Sequence, residues 1–326
     1  AGQPPTIQQS LALAVAHHQA GRLAEAEGLY RQIMEAAPDQ PFAAYMLGVM
    51  AHEAGNDESA AELLSKALTI KPDLIEAHNA LALTFRALGR PDDARACCQK
   101  ALALRPDYVG ALNTLGLALY DLGQLAEAAE NFNKAIAINP DFADAHSNLG
   151  LVLQDLGKPD EAVAHHLKAL AIKPDYAEAH NNHGNALREL KQLDAAVEAF
   201  DRAIALRPDQ GEAYWNKALA LLLRGDFANG WDLYEWRWKR KEFSGKARLF
   251  AQPLWLGEES LTEKTILLHS EQGLGDTIQF CRYAKLASDL GARVILEVDR
   301  PLIGLLKHLG GVAEVVAKDS TLPPFD

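Results

Sequence analysis

Apolar and small residues recur along most of this chain with a spacing of 34, and that register predicts its elements. Leu47, Leu81, Leu115 and Leu149 share one register position. Gly48, Gly116, Gly150 and Gly184 follow at the next, where Ala82 and Ala218 stand in two further repeats. Twelve residues later come Ala26, Ala60, Ala94, Ala128, Ala162 and Ala196. Within each period the apolar positions fall three and four apart, which is the spacing of one face of a helix. Small residues at two places let a pair of helices cross closely, and Tyr30, Phe132 and Phe200 fill a large pocket in the second helix. A fixed period of this size is the mark of stacked supersecondary units.

Turn residues punctuate the same register. Gly21, Gly55, Gly89, Gly123, Gly157 and Gly225 end the first helix of each pair, as a C-terminal glycine does. Pro-Asp recurs at 38, 72, 106, 140, 174 and 208 without insertion or deletion. Proline disfavours helix in the residue before it, so it stops the second helix. The aspartate is then expected to cap the next first helix through its orphan N–H groups. Asp73/Glu76, Asp175/Glu178 and Asp209/Glu212 have the spacing of a capping box.

This combination of Leu-Gly, Ala, Phe, Ala and Pro resembles the tetratricopeptide-repeat (TPR) family over about residues 7–240. The resemblance implies a mostly α fold, a right-handed TPR superhelix of seven hairpins. Repeats start near Ile7, Pro41, Ile75, Val109, Ala143, Ala177 and Gly211. One hairpin cannot bury its own apolar faces, whereas stacked neighbours can, leaving a curved groove for a protein or extended-peptide partner. Asn148, Asn182 and Asn216 share one first-helix position, with Thr114 and Ala80 there in earlier repeats. A similar asparagine ladder lines the inside of the TPR superhelix in O-GlcNAc transferases. That likeness implies a peptide groove to which Asn113 and Asn185 also belong; the alternative is a set of solvated polar side chains. His78, His146 and His180 share a position and read as framework residues.

The pattern changes in the seventh repeat. All five tryptophans lie between Trp215 and Trp255, and Tyr234-Glu235-Trp236-Arg237-Trp238 reads as a cap on the exposed solenoid end. Such a cap is expected to pack on the second helix of that repeat and on the α/β segment that follows, both of which present apolar faces; an aromatic and basic ligand surface is the other reading. Residues 241–262 read as a linker. From Lys264 the period shortens: strands are expected at Thr265–His269, Ala292–Val298 and Val312–Val316, with helices at Thr277–Leu290 and from about Pro301. Phe280, Tyr283, Ala284 and Ala287 fall on one face of the first of these helices. This β-α-β-α-β succession over 263–326 opens a parallel α/β, Rossmann-like domain. Roughly 60 residues give half of a doubly wound sheet, so the natural protein is expected to continue.

Between the first strand and helix lies Gly273-Leu274-Gly275-Asp276. Ile278 stands where a dinucleotide fingerprint wants Gly or Ala, which argues against NAD or FAD; no cofactor is expected. The segment instead resembles the first turn of heptosyltransferase-like glycosyltransferases. That resemblance implies a parent transferase that selects protein acceptors through its repeats; the alternative is a pure protein-interaction scaffold whose α/β remnant is structural. In it Asp276 would be general base at a turn built by Gly273 and Gly275, and a sugar nucleotide would bind only with the missing second half. Alternatively Asp276 caps the helix at Thr277.

Composition narrows the field. A net charge of −12 without a basic stripe argues against nucleic acid. No run reaches the 18 or so apolar residues of a membrane span. Ala1 to Pro5 carry no signal-peptide pattern, and the absence of an initial Met fits a trimmed start. Cys97, Cys98 and Cys281 have no metal spacing and read as apolar fillers in a reducing cytoplasm. His165-His166 and His180/His183 lack carboxylate or cysteine at ligand spacing, so no metal is expected.

Overall fold

The computed structural model describes residues 6–240, 248, 250–271 and 273–326. The expected trimmed start at residues 1–5, and 241–247 and 249 of the expected linker, lie outside them. The chain divides into two compact units, Ala1–Gly245 and Lys246–Asp326.

The N-terminal unit is a superhelix of stacked helix pairs. Its helices are α1 (Ile7–Gln19), α2 (Leu23–Ala36), α3 (Pro41–Glu53), α4 (Asp57–Ile70), α5 (Ile75–Ala87), α6 (Pro91–Leu104) and α7 (Val109–Asp121). Then come α8 (Leu125–Ile138), α9 (Ala143–Asp155), α10 (Pro159–Ile172), α11 (Ala177–Glu189), α12 (Leu193–Leu206), α13 (Gly211–Arg224) and α14 (Phe227–Tyr234). Successive first helices touch, α3 on α5, α5 on α7, α7 on α9, α9 on α11 and α11 on α13. Among the described residues successive second helices make no comparable contact, so the first helices line the inner, concave side. Buried clusters run across neighbouring hairpins, one of them from Leu64 through Phe132 to Val152 and Ala186. No repeat owns its core, which is why the array is stable only as an array.

Each hairpin closes around one slot. An added Cβ on Gly48, Gly116, Gly150 or Gly184 would stand 2.6, 2.7, 2.5 or 2.6 Å from Leu64, Phe132, His166 or Phe200 respectively. The glycines are therefore required by a large side chain on the partner helix. His166, an imidazole in the position that Phe132 and Phe200 fill elsewhere, is fully buried. The first-helix glycines take the left-handed conformation expected of them, from Gly21 (φ +73) to Gly225 (φ +89). In the sixth repeat Lys191 occupies that position at φ 59, a cost the sequence register does not flag.

The Pro-Asp aspartates do not cap. Helices α5, α7, α9, α11 and α13 are entered through Leu74, Tyr108, Phe142, Tyr176 and Gln210, none with a side-chain cap bond. Proline and aspartate instead occupy the two central positions of a turn closed by Leu74 N–H to Lys71 C=O, and likewise by Tyr108 to Arg105 and Phe142 to Asn139. Proline's fixed φ suits the first central position, so the helix starts one residue later than capping would require. Histidine finishes the turn in three repeats: His78, His146 and His180 donate from Nε2 to the carbonyls of Pro72, Pro140 and Pro174 at 2.8, 3.0 and 3.0 Å.

The aromatic segment after α14 is a 3₁₀ turn, Glu235–Lys239, and it lies chiefly on the first helix of the seventh repeat, α13, rather than on the second. α14 stops after eight residues, and the chain folds back. Trp236 stacks on Tyr214 with ring centroids 3.7 Å apart, and the Lys239 ammonium lies 3.6 Å from the Trp236 centroid. Arg237 is buried between Tyr234 and Trp238 and donates to Glu235 at 2.6 Å. Gly211 admits this fold-back, since a Cβ there would meet Lys239 Cβ at 2.9 Å.

The C-terminal unit holds three parallel strands in the order β1-β2-β3: β1 (Thr265–His269), β2 (Arg293–Val298) and β3 (Glu314–Ala317). Val294, Leu296 and Val298 alternate onto one face, over Ala284, Ala287, Leu302 and Leu306. Trp255 and Leu261 pack into this core, so part of the stretch read as linker belongs to it. The expected single helix after β1 is two, α15 (Leu274–Phe280) and α16 (Tyr283–Asp289), tightened at Cys281 where Ala284 N–H bonds three residues back. That offset turns Phe280 and Tyr283 outward; Thr277, Ala284 and Ala287 are the buried positions. A final helix, α17 (Arg300–Leu306), joins β2 to β3.

Candidate functional site

The concave face of the N-terminal unit is built by five recurring first-helix positions, those of Gly110, Asn113, Leu117, Tyr120 and Asp121 in α7. On this helix they are the less buried side, because the opposite side closes on α8. Leu83, Leu117 and Leu151 give the floor an apolar strip, and polar side chains flank it.

Polar side chains at these positions are bonded from one repeat to the next at a spacing of 35 residues, the donors Asn148 and Asn216 coming from the adjacent position, that of Thr114. Asn148 donates to Asn113 Oδ1 at 3.0 Å, and Asn216 donates to Asn181 Oδ1 at 3.0 Å. Further along the same helices Arg86 donates to Asp121 (2.6 Å), Tyr120 to Asp155 (2.7 Å) and Gln154 to Glu189 (3.1 Å). The structure thus brings Asn113 and Asn148 together and holds Asn182 and Asn185 half-buried on α11. The Oδ1 atom of Asn185 is buried without a hydrogen-bond partner. Asn216 differs: it is only 6% exposed, and its carboxamide lies between Asn181 and the more distant Arg188 guanidinium at 3.5 Å. Each paired carboxamide uses one donor of one residue and one acceptor of the other. Asn113 therefore keeps its NH₂ and Asn148 its C=O for a ligand.

The second polar ladder escapes a reading of the sequence because its members differ in type. Its signal is the offset of one repeat plus one residue, which pairs Arg86, Tyr120 and Gln154 with an acid each time. Burial, followed by the bond to Asp155, pushes the Tyr120 hydroxyl up to about 12. Burial and then Asp144 likewise hold the Tyr176 hydroxyl well above the ordinary tyrosine range. At the groove edge Glu76 faces Arg105 at 3.6 Å, and Glu178 pairs with Arg207.

Beneath the fifth repeat, His166 Nε2 faces Gln154 Oε1 at 3.3 Å, and Gln154 in turn donates to Glu189. Desolvation, with His183 and His165 nearby, pushes the His166 imidazole down to about 3. The neutral ring donates from Nε2, and its Nδ1 is buried without a partner. Among the described residues no group of three His, Cys, Asp or Glu could hold a metal ion, and no helix is long and apolar enough to cross a membrane.

Gly273, Gly275 and Asp276 lie in the C-terminal unit. Gly273 precedes α15, and Gly275 and Asp276 are inside its first turn. The helix begins at Leu274, so Asp276 does not cap a start at Thr277. Its side chain is exposed, and neither glycine is forced by a close neighbour or by a left-handed backbone.

Comparison with known proteins agrees with this architecture. Models described as tetratricopeptide repeat match residues 11–75, 75–108 and 141–209, and one described as TPR repeat matches 116–157. A chain of the APC/C hetero-tetramer Cut9–Hcn1 is 21% identical with a TM-score of 0.64, over 69% of this chain and 45% of that one. The present chain thus spans less than half of that relative. PilF of Pseudomonas aeruginosa is 25% identical with a TM-score of 0.52, over 61% of this chain and 90% of its own. TTC0263, a thermophilic TPR protein of Thermus thermophilus, is 28% identical with a TM-score of 0.52, over 56% and 99%. No curated protein matches the chain. Fold and repeat together define the class as an α-solenoid. More narrowly, the N-terminal unit is a TPR-repeat α-solenoid.

Proposed function

We propose that this chain is a binding scaffold that holds an extended protein or peptide segment along the concave face of its TPR superhelix. The observation that carries this reading is the inter-repeat polar ladder. The Asn113–Asn148 pair is fixed by one bond and leaves the NH₂ of one residue and the C=O of the other for a ligand, and Tyr120 and Gln154 are likewise held in place by Asp155 and Glu189. Such groups match the N–H and C=O of an extended backbone and tolerate varied side chains. The relatives support the reading to the extent that one is a chain of a multi-subunit assembly.

A transferase reading of the C-terminal unit has less behind it. Consecutive parallel strands in the order β1-β2-β3, joined through helices, support the opening of a Rossmann-like, doubly wound domain. Asp276, however, is an exposed side chain in the first turn of α15 rather than one enclosed in a site. We take that unit as a structural companion of the scaffold.

The experiment is a peptide-display selection on the full chain, followed by Asn148→Ala, Asn182→Ala and Asn216→Ala together. Loss of binding by about 0.5–1.5 kcal/mol for each carboxamide that reaches the ligand is expected. Because Asn216 is buried, its contribution is expected through Asn181 and through stability. Undiminished binding by the triple variant would remove the ladder from the site.

A further inference from the structure

Along the groove the character of the concave face changes, and the change specifies a ligand. In the second repeat the face is aromatic: Phe42 is 36% exposed, with its ring 5.9 Å from that of Tyr45. In the seventh it is apolar again, with Trp215 half-buried and Leu223 66% exposed where the three preceding repeats carry Asp121, Asp155 and Glu189. Between these ends lie carboxylates of two kinds. Asp121 and Glu178 are matched by arginines, Arg86 and Arg207. Asp155 and Glu189 instead accept from neutral donors, the Tyr120 hydroxyl and the Gln154 amide. A neutral donor orients a carboxylate without cancelling its charge, so Asp155 holds fixed negative charge over the fifth repeat, while Glu189, which also lies within electrostatic reach of the half-buried Arg188, adds a partly matched one in the sixth. The concave face as a whole belongs to a chain of net charge −12.

We infer that the groove takes an extended segment with a basic centre and an apolar side chain at each end; this rests on the concave-face reading given above. Lysine or arginine at the centre pairs with Asp155 and Glu189, and the apolar ends seat on Phe42 and Tyr45 and on Trp215 and Leu223. The two ends are five repeats apart. With packed helix axes about 8–10 Å apart, that is about 40–50 Å of path. An extended chain rising about 3.3 Å per residue covers it with about 12–15 residues. Charge supplies attraction in the middle, and screening makes that part of the affinity sensitive to salt.

The test uses the full chain and three fluorescent, unstructured 15-residue peptides: lysine-centred with leucine at both ends, glutamate-centred with the same ends, and lysine-centred with serine ends. Anisotropy titration is expected to rank the first at least about tenfold above each of the others. The paired change Asp155→Asn and Glu189→Gln, which keeps both acceptors, should erase the preference for lysine over glutamate while circular-dichroism melting stays unchanged. The inference is overturned if the glutamate-centred peptide binds as well as the lysine-centred one, or if the preference survives in the variant. Those outcomes leave the concave-face reading standing, provided that a Leu117→Glu, Leu151→Glu variant, still folded, loses the peptide that bound. If none of the three peptides binds, and segments selected by display ignore that variant, the concave-face reading fails and this inference with it.

Discussion

The slot occupied by His166 gives the most quantitative prediction, His166→Phe. The neighbouring repeats show that phenylalanine fits, because Phe132 and Phe200 sit against Gly116 and Gly184 as His166 sits against Gly150. The substitution removes a buried Nδ1 acceptor that has no partner, which costs about 1–3 kcal/mol where it stands, and it forfeits one bond to Gln154 of about 0.5–1.5 kcal/mol. Gln154 Oε1 loses its donor at the same time, which offsets the gain, so at pH 7 the two proteins should differ by no more than about 1 kcal/mol. The pH dependence is sharper. With the folded-state imidazole held down to about 3, the unfolded chain takes up a proton below its ordinary value while the folded chain does not. The depressed value makes stability full above about pH 6.5, with loss as pH falls toward 3. Between pH 7 and pH 5 the parent loses about 2 kcal/mol through this group, and the variant does not. His165 and His183, also lowered by burial, contribute to both proteins and cancel in the comparison. Urea titrations of both proteins at pH 7 and pH 5 measure the gap. A gap that fails to widen toward pH 5 would mean that His166 does not stay neutral in the folded chain.

Three further outcomes are expected. Lys191→Gly should raise thermal stability by about 1 kcal/mol, since a left-handed φ of 59 is relaxed where the other repeats carry glycine; a lower melting temperature would contradict it. Gly211→Ala should lift the Glu235–Lys239 turn off α13, because its Cβ would stand 2.9 Å from Lys239 Cβ, and tryptophan emission should shift to the red with helicity retained. Trp236→Ala with Trp238→Ala should destabilise the seventh repeat by several kcal/mol, large buried aromatics costing about 3–5 each and half-buried ones less; an unchanged melting curve would dispose of the cap.

The sequence carries the solenoid openly because packing acts on every repeat alike. Gly48 and Leu47 recur since each hairpin closes the same slot, and the left-handed glycines recur since each first helix ends the same way. Where two side chains could exchange roles the register is silent. Pro-Asp reads equally as stop-and-cap or as the centre of a turn, and only the position of the next helical residue separates them. The groove is half legible. Identical asparagines stand out in register, whereas Tyr120–Asp155 and Gln154–Glu189 form one ladder from unlike residues. The burial of Asn216 is hidden because Arg188 and Asn181 close over it, a contact between repeats rather than within one. In the C-terminal unit the strands are legible from their apolar runs. The outward turn of Phe280 and Tyr283 is not, since it follows from a helical offset at Cys281.

If the inner faces of the first helices hold the ligand, site-specific photo-crosslinking should find it there. A benzophenone side chain is placed at Leu151, on the concave floor of α9, or at Lys168, exposed on α10, in the full chain bound to a display-selected peptide. A crosslink from position 151 that unlabelled peptide competes away is expected, and none from position 168. Equal crosslinking from both, or crosslinking from 168 alone, would contradict it.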